Sequence, residues 1–236
     1  MEKSDFVIRF AGEGNQGLLT AAIAFAAANT QAGYHTQTFA TFPSQITGGP
    51  TWMQARISTS PVLSRGDDLD VLVVFNENAY YEHRGEVKDE GVILYDSDAL
   101  SVEDDGKSLG IAFEKLGKST GNPRAANMVV MGALAHLVDI PQTVLEDWVR
   151  RRYAAARYGE KAVPSNIEAM SLGRAEAVKS GFSIGALADP IKPKYEQLFL
   201  DGNEALCLGA LAAGLEFYVG YPISPATTIL IWMEQN

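Results

Sequence analysis

The chain has 236 residues, enough to bury a full core, and its 47% apolar and 20% charged residues are ordinary for a globular protein. Its formal net charge of −10 argues against nucleic acid or an acidic membrane surface as the main partner, because both demand clustered Lys and Arg. The single cysteine, Cys207, excludes an intrachain disulfide framework and a four-thiolate iron–sulfur cluster. The first residues, Met1 to Asp5, carry no signal-peptide apolar region. The most apolar stretch, Leu18 to Ala28, falls short of the roughly 20 residues a bilayer span needs, so a cytoplasmic protein without a membrane partner is expected.

Phe6-Val7-Ile8-Arg9-Phe10 is a short apolar run closed by Gly12 and reads as a buried strand. Leu18 to Ala32 is Ala-rich, uncharged and stopped by Gly33, which predicts a helix buried on most sides. Further strands are expected over His35 to Phe42, Thr51 to Ser58, Leu69 to Phe75 and Gly91 to Tyr95. Asn76 is placed to cap a helix over Glu77 to Lys88. Asn122-Pro123 has the form of a helix start, Asn at the N-cap and Pro at N1, for a helix to about Val138. Pro141 opens another to about Ala156, and Pro164 a third ending near Gly181. This alternation predicts an α/β layered, Rossmann-like domain with a largely parallel sheet over residues 1–186. Residues 187–200, with Asp189-Pro190 and Lys192-Pro193-Lys194, read as a linker. In residues 201–236, Gly202 to Gly214 reads as a helix, Phe217 to Tyr221 as a strand, and Pro222 to Pro225 as a turn into another helix. That is one opening unit of a second α/β domain and cannot form a core alone.

Gly12-Glu13-Gly14-Asn15-Gln16-Gly17 fits the glycine pattern of dinucleotide-binding loops, follows an expected strand and opens an expected helix. Glycines let the backbone approach a phosphate, and a helix N-terminus offers free N–H groups and a positive dipole end. An NAD site also wants an acidic residue about 20 positions on, to hold the ribose hydroxyls. From Leu18 through Gly66 there is no Asp or Glu, so a nicotinamide cofactor is disfavoured. The loop reads equally as an anion site or as a tight turn that holds nothing. A second loop, Pro43 to Pro50, carries Ser44, Gln45, Thr47, Gly48 and Gly49, a composition common where loops line clefts of open sheets. Asn76 serves as a cap or a ligand, and Asn127, on an otherwise apolar helix, packs against a neighbouring loop or binds a ligand.

These residues together resemble a known family. Gly12 to Gly17, then Phe42-Pro43-Ser44 with Gly48-Gly49-Pro50, Gln54 to Ser58, Leu69 to Glu77 and Asn127 to Leu134 are similar, in order and spacing, to the γ domain of 2-oxoacid:ferredoxin oxidoreductases, over about residues 5–185. Asp201-Gly202-Asn203-Glu204-Ala205, Gly209-Ala210, Ala213-Gly214 and Gly220-Tyr221-Pro222-Ile223-Ser224-Pro225-Ala226-Thr227 resemble the opening of the pyrimidine-binding domain of the α subunit. A γ-like domain fused ahead of that opening is similar to the 2-oxoglutarate-type enzymes.

The resemblance implies oxidative decarboxylation of a 2-oxoacid to its acyl-CoA, with electrons passed to ferredoxin. It implies thiamine diphosphate shared with a β subunit that carries the diphosphate-binding domain, and coenzyme A as co-substrate. Iron–sulfur clusters and Mg would sit on partner chains, and this chain alone would be inactive. It implies coenzyme A contacts at Gly12, Gly14, Gln16, Gly17, Ser44, Gly48, Gly49, Asn76 and Asn127. It also implies 2-oxoacid contacts at Tyr221 and Ser224, with Ser224 in a catalytic role; the competing role for Ser224 is a cap on a helix starting at Pro225. Two positions depart from the pattern: Thr47 stands where many relatives carry a basic residue, and Ser224 where many carry Thr. The sequence is expected to be cut short at Asn236. The alternatives are an NAD(P)-binding dehydrogenase domain and a non-catalytic assembly module. Cys207 reads as a small core residue, His83 as lying on a solvated helix face, His136 as packed, and Arg150-Arg151-Arg152 as answering a helix dipole.

Overall fold

The computed structural model describes residues 2–14, 16–41, 49–103, 105–153, 159–191 and 194–236, in two compact units, Met1–Gln197 and Leu198–Asn236. The first unit contains β1 (Glu2–Lys3), β2 (Asp5–Glu13), α1 (Leu18–Gln31), β3 (His35–Thr41), β4 (Pro50–Ser58), β5 (Leu69–Val74) and α2 (Glu77–His83). A 3-10 turn over Arg84–Glu86 leads into β6 (Val87–Asp96), β7 (Ser108–Ile111), α3 (Phe113–Ser119), α4 (Ala126–Leu137), α5 (Gln142–Tyr153), α6 (Gly159–Ser180) and β8 (Ala186–Leu187). The second unit contains α7 (Gly202–Ala212) and α8 (Thr227–Gln235).

The main sheet has six strands in the order β3-β4-β2-β5-β6-β7. Strands β2, β5, β6 and β7 run parallel, while β4 lies antiparallel to both β2 and β3. Every residue of β5 is buried, as expected of a central strand covered on both faces. Alternation along β2 sends Phe6, Ile8 and Phe10 to one face and Val7, Arg9 and Ala11 to the other. Val7 and Ala11 join Leu72, Val74, Ile93, Ala79 and Tyr80 in the core beneath α2. Helix α1 packs on β2, β3 and β4 and against α4 and α5. Its alanines at 21, 22, 24, 26 and 28 are buried because a thin helix is what fits between sheet and helices. Helices α4 and α6 cross backbone to backbone: a Cβ on Gly132 would overlap the Met170 carbonyl, and one on Gly173 the Val129 carbonyl.

Several expectations are corrected. The helix after Asn76 ends at His83, and Val87 and Lys88 belong to β6, whose pairing with β5 begins at Leu69–Val87 and shifts register before Val71. Asn122 does not cap α4; its Oδ1 accepts from the Arg124 N–H at 3.1 Å, a local turn, and the helix starts at Ala126. Pro164 lies inside α6, where its missing N–H removes one helical hydrogen bond. Residues 217–221 form no strand, because no described strand adjoins them and an extended segment needs a neighbour to hydrogen-bond. Leu187, expected in the linker, pairs with Lys3 in the β1–β8 ladder. No described helix is long and apolar enough to cross a membrane.

Candidate functional site

Strand β2 is the topological switch of the sheet: the chain leaves it first toward β3 and β4, then crosses to β5 on the other side. Ligand clefts in open α/β sheets form outside the carboxyl ends of strands at such a point. The glycine loop follows β2 there, and Asn76 follows β5.

Gln16 ties the two loops together. Its Nε2 donates to the Phe75 carbonyl at 3.2 Å, and its Oε1 accepts from the Glu13 N–H at 2.7 Å and from Asn76 Nδ2 at 3.1 Å. Asn76 Oδ1 in turn accepts from the Ala79 N–H at 2.9 Å, so Asn76 caps α2 as the sequence indicates. A Cβ on Gly12 would run into Gln16 Oε1 and Phe75 Cβ, so this glycine admits the Gln16 clasp. Gly17 is left-handed, with φ 77°, and a Cβ there would meet the Asn127 amide at 2.6 Å. Asn127 is half-buried, and its amide makes no hydrogen bond to a described residue. Gly14 is open, with Thr51 Oγ1 at 3.7 Å from a Cβ placed on it. Gly49 borders the same region with φ 85°, whereas Ser44, Thr47 and Gly48 lie outside the described residues.

Two clefts flank Glu13. One, of about 340 Å³, is bounded by Gly12, Gly49, Pro50, Thr51, Asn76, Asn78, Glu82 and His83 among others. The other, of about 440 Å³, is bounded by Gln16, Phe75, Asp96, Asp98, Phe113 and Glu114 among others. Burial pushes the Asp96 carboxyl above its ordinary range, with Asp98 and Glu114 adding to the rise, against hydrogen bonds from the Asp98 and Phe113 N–H groups. Neither cleft is lined by a described Lys or Arg.

The structure brings together a set of residues that the sequence did not single out. Arg9, only 4% exposed, donates from Nε and Nη2 to Gln54 Oε1 at 3.1 and 2.9 Å, donates from Nη1 to Glu86, and lies 4.4 Å from the Trp52 ring centroid. His83, expected on a solvated face, is 6% exposed, with Nδ1 at 3.1 Å from Arg9 Nη1 and 3.0 Å from Glu86 Oε1. Burial would raise the Glu86 carboxyl, but the hydrogen bonds and charges of Arg9 and His83 prevail and hold it below its ordinary value. The available signal was one cation inside an apolar strand run, which must find partners when buried.

In the second unit, Asp201 and Glu204 form a capping box on α7, with bonds of 2.8 and 2.9 Å. Asn203 Nδ2 donates to the Pro225 carbonyl at 2.9 Å and Thr228 Oγ1 at 2.7 Å, which fastens the turn to α7. Tyr221 and Ser224 are exposed on this turn. Ser224 caps nothing: α8 begins at Thr227, its N-cap is Ala226, and no side chain caps it. Cys207 is buried as expected. His136 is half-buried; burial, then the Arg174 charge, lowers its pKa. Arg150 pairs with Glu146 at 3.0 Å along α5. The described residues contain no group of three or more His, Cys, Asp or Glu arranged to hold a metal.

A profile of the pyruvate ferredoxin/flavodoxin oxidoreductase family matches residues 7–176. The chain is similar to the ketoisovalerate oxidoreductase subunit VorA of Methanothermobacter marburgensis, with 27% identity over 70% of this chain and 35% of that protein. It is similar to the 2-oxoglutarate oxidoreductase subunit KorA of Mycobacterium tuberculosis, with 26% identity over 95% of this chain and 40% of that one. It thus spans less than half the length of these relatives. Among solved structures it is similar to 2-oxoglutarate:ferredoxin oxidoreductase from Magnetococcus marinus with 2-oxoglutarate, coenzyme A and succinyl-CoA bound. That match has a TM-score of 0.86 and 33% identity over 99% of this chain and 41% of that chain. A keto/oxoacid ferredoxin oxidoreductase gamma subunit from Geobacter sulfurreducens gives a TM-score of 0.61 and 25% identity, over 74% of this chain and 99% of that chain.

Proposed function

The chain belongs to the pyruvate ferredoxin/flavodoxin oxidoreductase family, and on that premise we propose that it is part of the α subunit of a 2-oxoacid:ferredoxin oxidoreductase of the 2-oxoglutarate type. In this reading residues 1–186 are the γ-type domain, 187–200 a linker and 201–236 the opening of the pyrimidine-binding domain. The complete enzyme converts 2-oxoglutarate and coenzyme A to succinyl-CoA and carbon dioxide and passes an electron pair to ferredoxin. The observation that carries the proposal is the 99% coverage of this chain by one chain of the Magnetococcus marinus enzyme, against 74% by a free-standing gamma subunit. That difference favours a fused arrangement and, with it, the 2-oxoglutarate type.

Thiamine diphosphate, when bound in the complete enzyme, supplies the carbanion-stabilising chemistry. This chain's contribution would be the hydroxyls of Tyr221 and Ser224, offered to the 2-oxoacid carboxylate from an exposed turn. A β subunit would carry the diphosphate-binding domain. The metal and the iron–sulfur clusters would also lie on partner chains; the single cysteine of these 236 residues cannot ligate a cluster. In the first unit, coenzyme A would meet the mouth of the glycine loop. Gly12, Gln16, Gly17 and Asn76 shape it, and Gly14 and Asn127 supply its accessible groups, with Gly49, Ser44 and Gly48 assigned to the adjoining loop. An NAD(P) reading fares worse, because β4 is inserted antiparallel between β2 and β3. The two strands of a dinucleotide-binding βαβ unit would be adjacent.

Gly14 provides the test. It accepts a Cβ in ordinary contact, 3.7 Å from Thr51 Oγ1, and is not left-handed, so Gly14→Val is the substitution expected to fold. In the assembled enzyme it should raise the KM for coenzyme A about tenfold and leave that for 2-oxoglutarate unchanged. An unaltered coenzyme A KM would leave the loop as a structural turn.

A further inference from the structure

The cleft of about 340 Å³ beside the glycine loop holds a residue that no assignment above uses. His83 borders it from the last turn of α2 while only 6% exposed, so its ring is part of the wall rather than of the solvated surface. One edge of the ring is spoken for: Nδ1 faces Arg9 Nη1 and Glu86 Oε1. The other ring nitrogen, Nε2, bonds no described residue and is not among the fully enclosed polar atoms. Trp52 meets the ring edge-on at 6.2 Å between centroids and limits its rotation. His83 thus lines the cleft with a nearly buried imidazole that is held at Nδ1 and unpartnered among the described residues at Nε2.

The lining decides the chemistry of that occupant. Glu13 and Glu82 contribute carboxylates, Asn76, Asn78 and Thr51 contribute amides and a hydroxyl, and no described Lys or Arg is present. Phosphate groups would be repelled there. Arg9 can only donate to Nδ1 and Glu86 can only accept from it, so the contacts at Nδ1 leave both roles, donor and acceptor, open to Nε2. Amides and hydroxyls satisfy both cases, whereas a phosphate oxygen satisfies one. We propose that His83 is a ligand-contacting residue of this cleft and that the cleft takes an uncharged amide- and hydroxyl-bearing chain. Resting on the coenzyme A reading above, that chain is the pantetheine arm, with the phosphate-bearing nucleotide held elsewhere.

The test uses the assembled enzyme with three probes: coenzyme A, 2-oxoglutarate and adenosine 3′,5′-bisphosphate as a competitive inhibitor. An Asn amide reaches about as far as Nδ1, and a Gln amide about as far as Nε2. His83→Asn should therefore keep the Arg9 contact, lose the ligand contact and raise the KM for coenzyme A about tenfold, with kcat largely kept. His83→Gln should restore it to within about twofold. Neither variant should alter the KM for 2-oxoglutarate or inhibition by adenosine 3′,5′-bisphosphate. Asn78→Trp, which fills the cleft from its exposed rim and spares the Arg9 contacts, should raise the coenzyme A KM similarly and decides the matter if His83→Asn does not fold. An unchanged coenzyme A KM in these variants overturns the proposal, and so does an equal weakening of the bisphosphate inhibitor. If Gly14→Val still raises the KM, only the role of His83 has failed. If Gly14→Val also has no effect, the coenzyme A reading of this unit fails first.

Discussion

At the scale of single residues, the structure separates roles that the sequence left superposed. Ser224 was open to two readings, a helix cap or a substrate contact, and the start of α8 at Thr227 with an uncapped N-terminus removes the first. Ser224→Ala should therefore leave thermal stability unchanged, since no cap of about 1 kcal/mol is lost. In the assembled enzyme it should lower kcat/KM for the 2-oxoacid by about tenfold or more. A variant with wild-type kcat/KM would end the substrate role. Asp96 gives a pH-dependent case. Burial raises its folded pKa, so the folded state holds the proton more tightly than the unfolded chain. Its contribution to stability falls as pH rises from the ordinary aspartate value, about 3.9, through the raised folded value. Asp96→Asn keeps the oxygen that accepts from the Asp98 and Phe113 N–H groups. It should be more stable than wild type at neutral pH, and the difference should close below the ordinary aspartate range. Urea denaturation at several pH values reads this directly, and a gap that persists in acid would refute it.

At the scale of elements, local chemistry was legible where it is self-sufficient. Asn76 announced its cap, Gly33 stopped α1, and the apolar runs of β2 and β5 fell at their expected places. What depended on distant partners was not legible. The end of α2 at His83 is enforced by β6 reaching back to pair Val87 with Leu69, and reading that helix through Lys88 put His83 on a solvated face. Strand β7 and helix α3 went unread because Ser108–Ile111 and Phe113–Ser119 are too short and mixed to show a period. The antiparallel placement of β4 beside β2 was equally hidden, since an apolar run does not name its neighbour. Arg9 shows the same limit within the site. Its position in an apolar run signals a buried cation, but the run cannot say that Gln54, His83 and Glu86 await it. The α4–α6 crossing rests on glycine contacts that only the folded chain displays. Gly132→Ala would push a methyl into the Met170 carbonyl and should cost about 3 kcal/mol or force the helices apart. Denaturant melting of that variant at near wild-type stability would contradict the close crossing.

At the scale of the whole molecule, the two units differ in how much they bury. The first has a continuous core around β2 and β5, whereas Cys207 is the one buried hydrophobic among the described residues of the second. Phe217, Val219 and Tyr221 are 80, 76 and 78% exposed. Such a contiguous exposed apolar surface is the kind that partners cover, and the chain covers 41% of the Magnetococcus marinus chain to which it is similar. The central claim is that this sequence serves a 2-oxoacid:ferredoxin oxidoreductase of the 2-oxoglutarate type. The most direct measurement is viologen reduction by the complete enzyme containing this chain and its β subunit, with 2-oxoglutarate, pyruvate and 2-ketoisovalerate compared in the presence and absence of coenzyme A, and with this chain alone as control. The account predicts coenzyme A-dependent reduction that is fastest with 2-oxoglutarate and a blank for the chain alone; reduction of NAD instead of viologen, or no turnover of any 2-oxoacid by the complete enzyme, would contradict it.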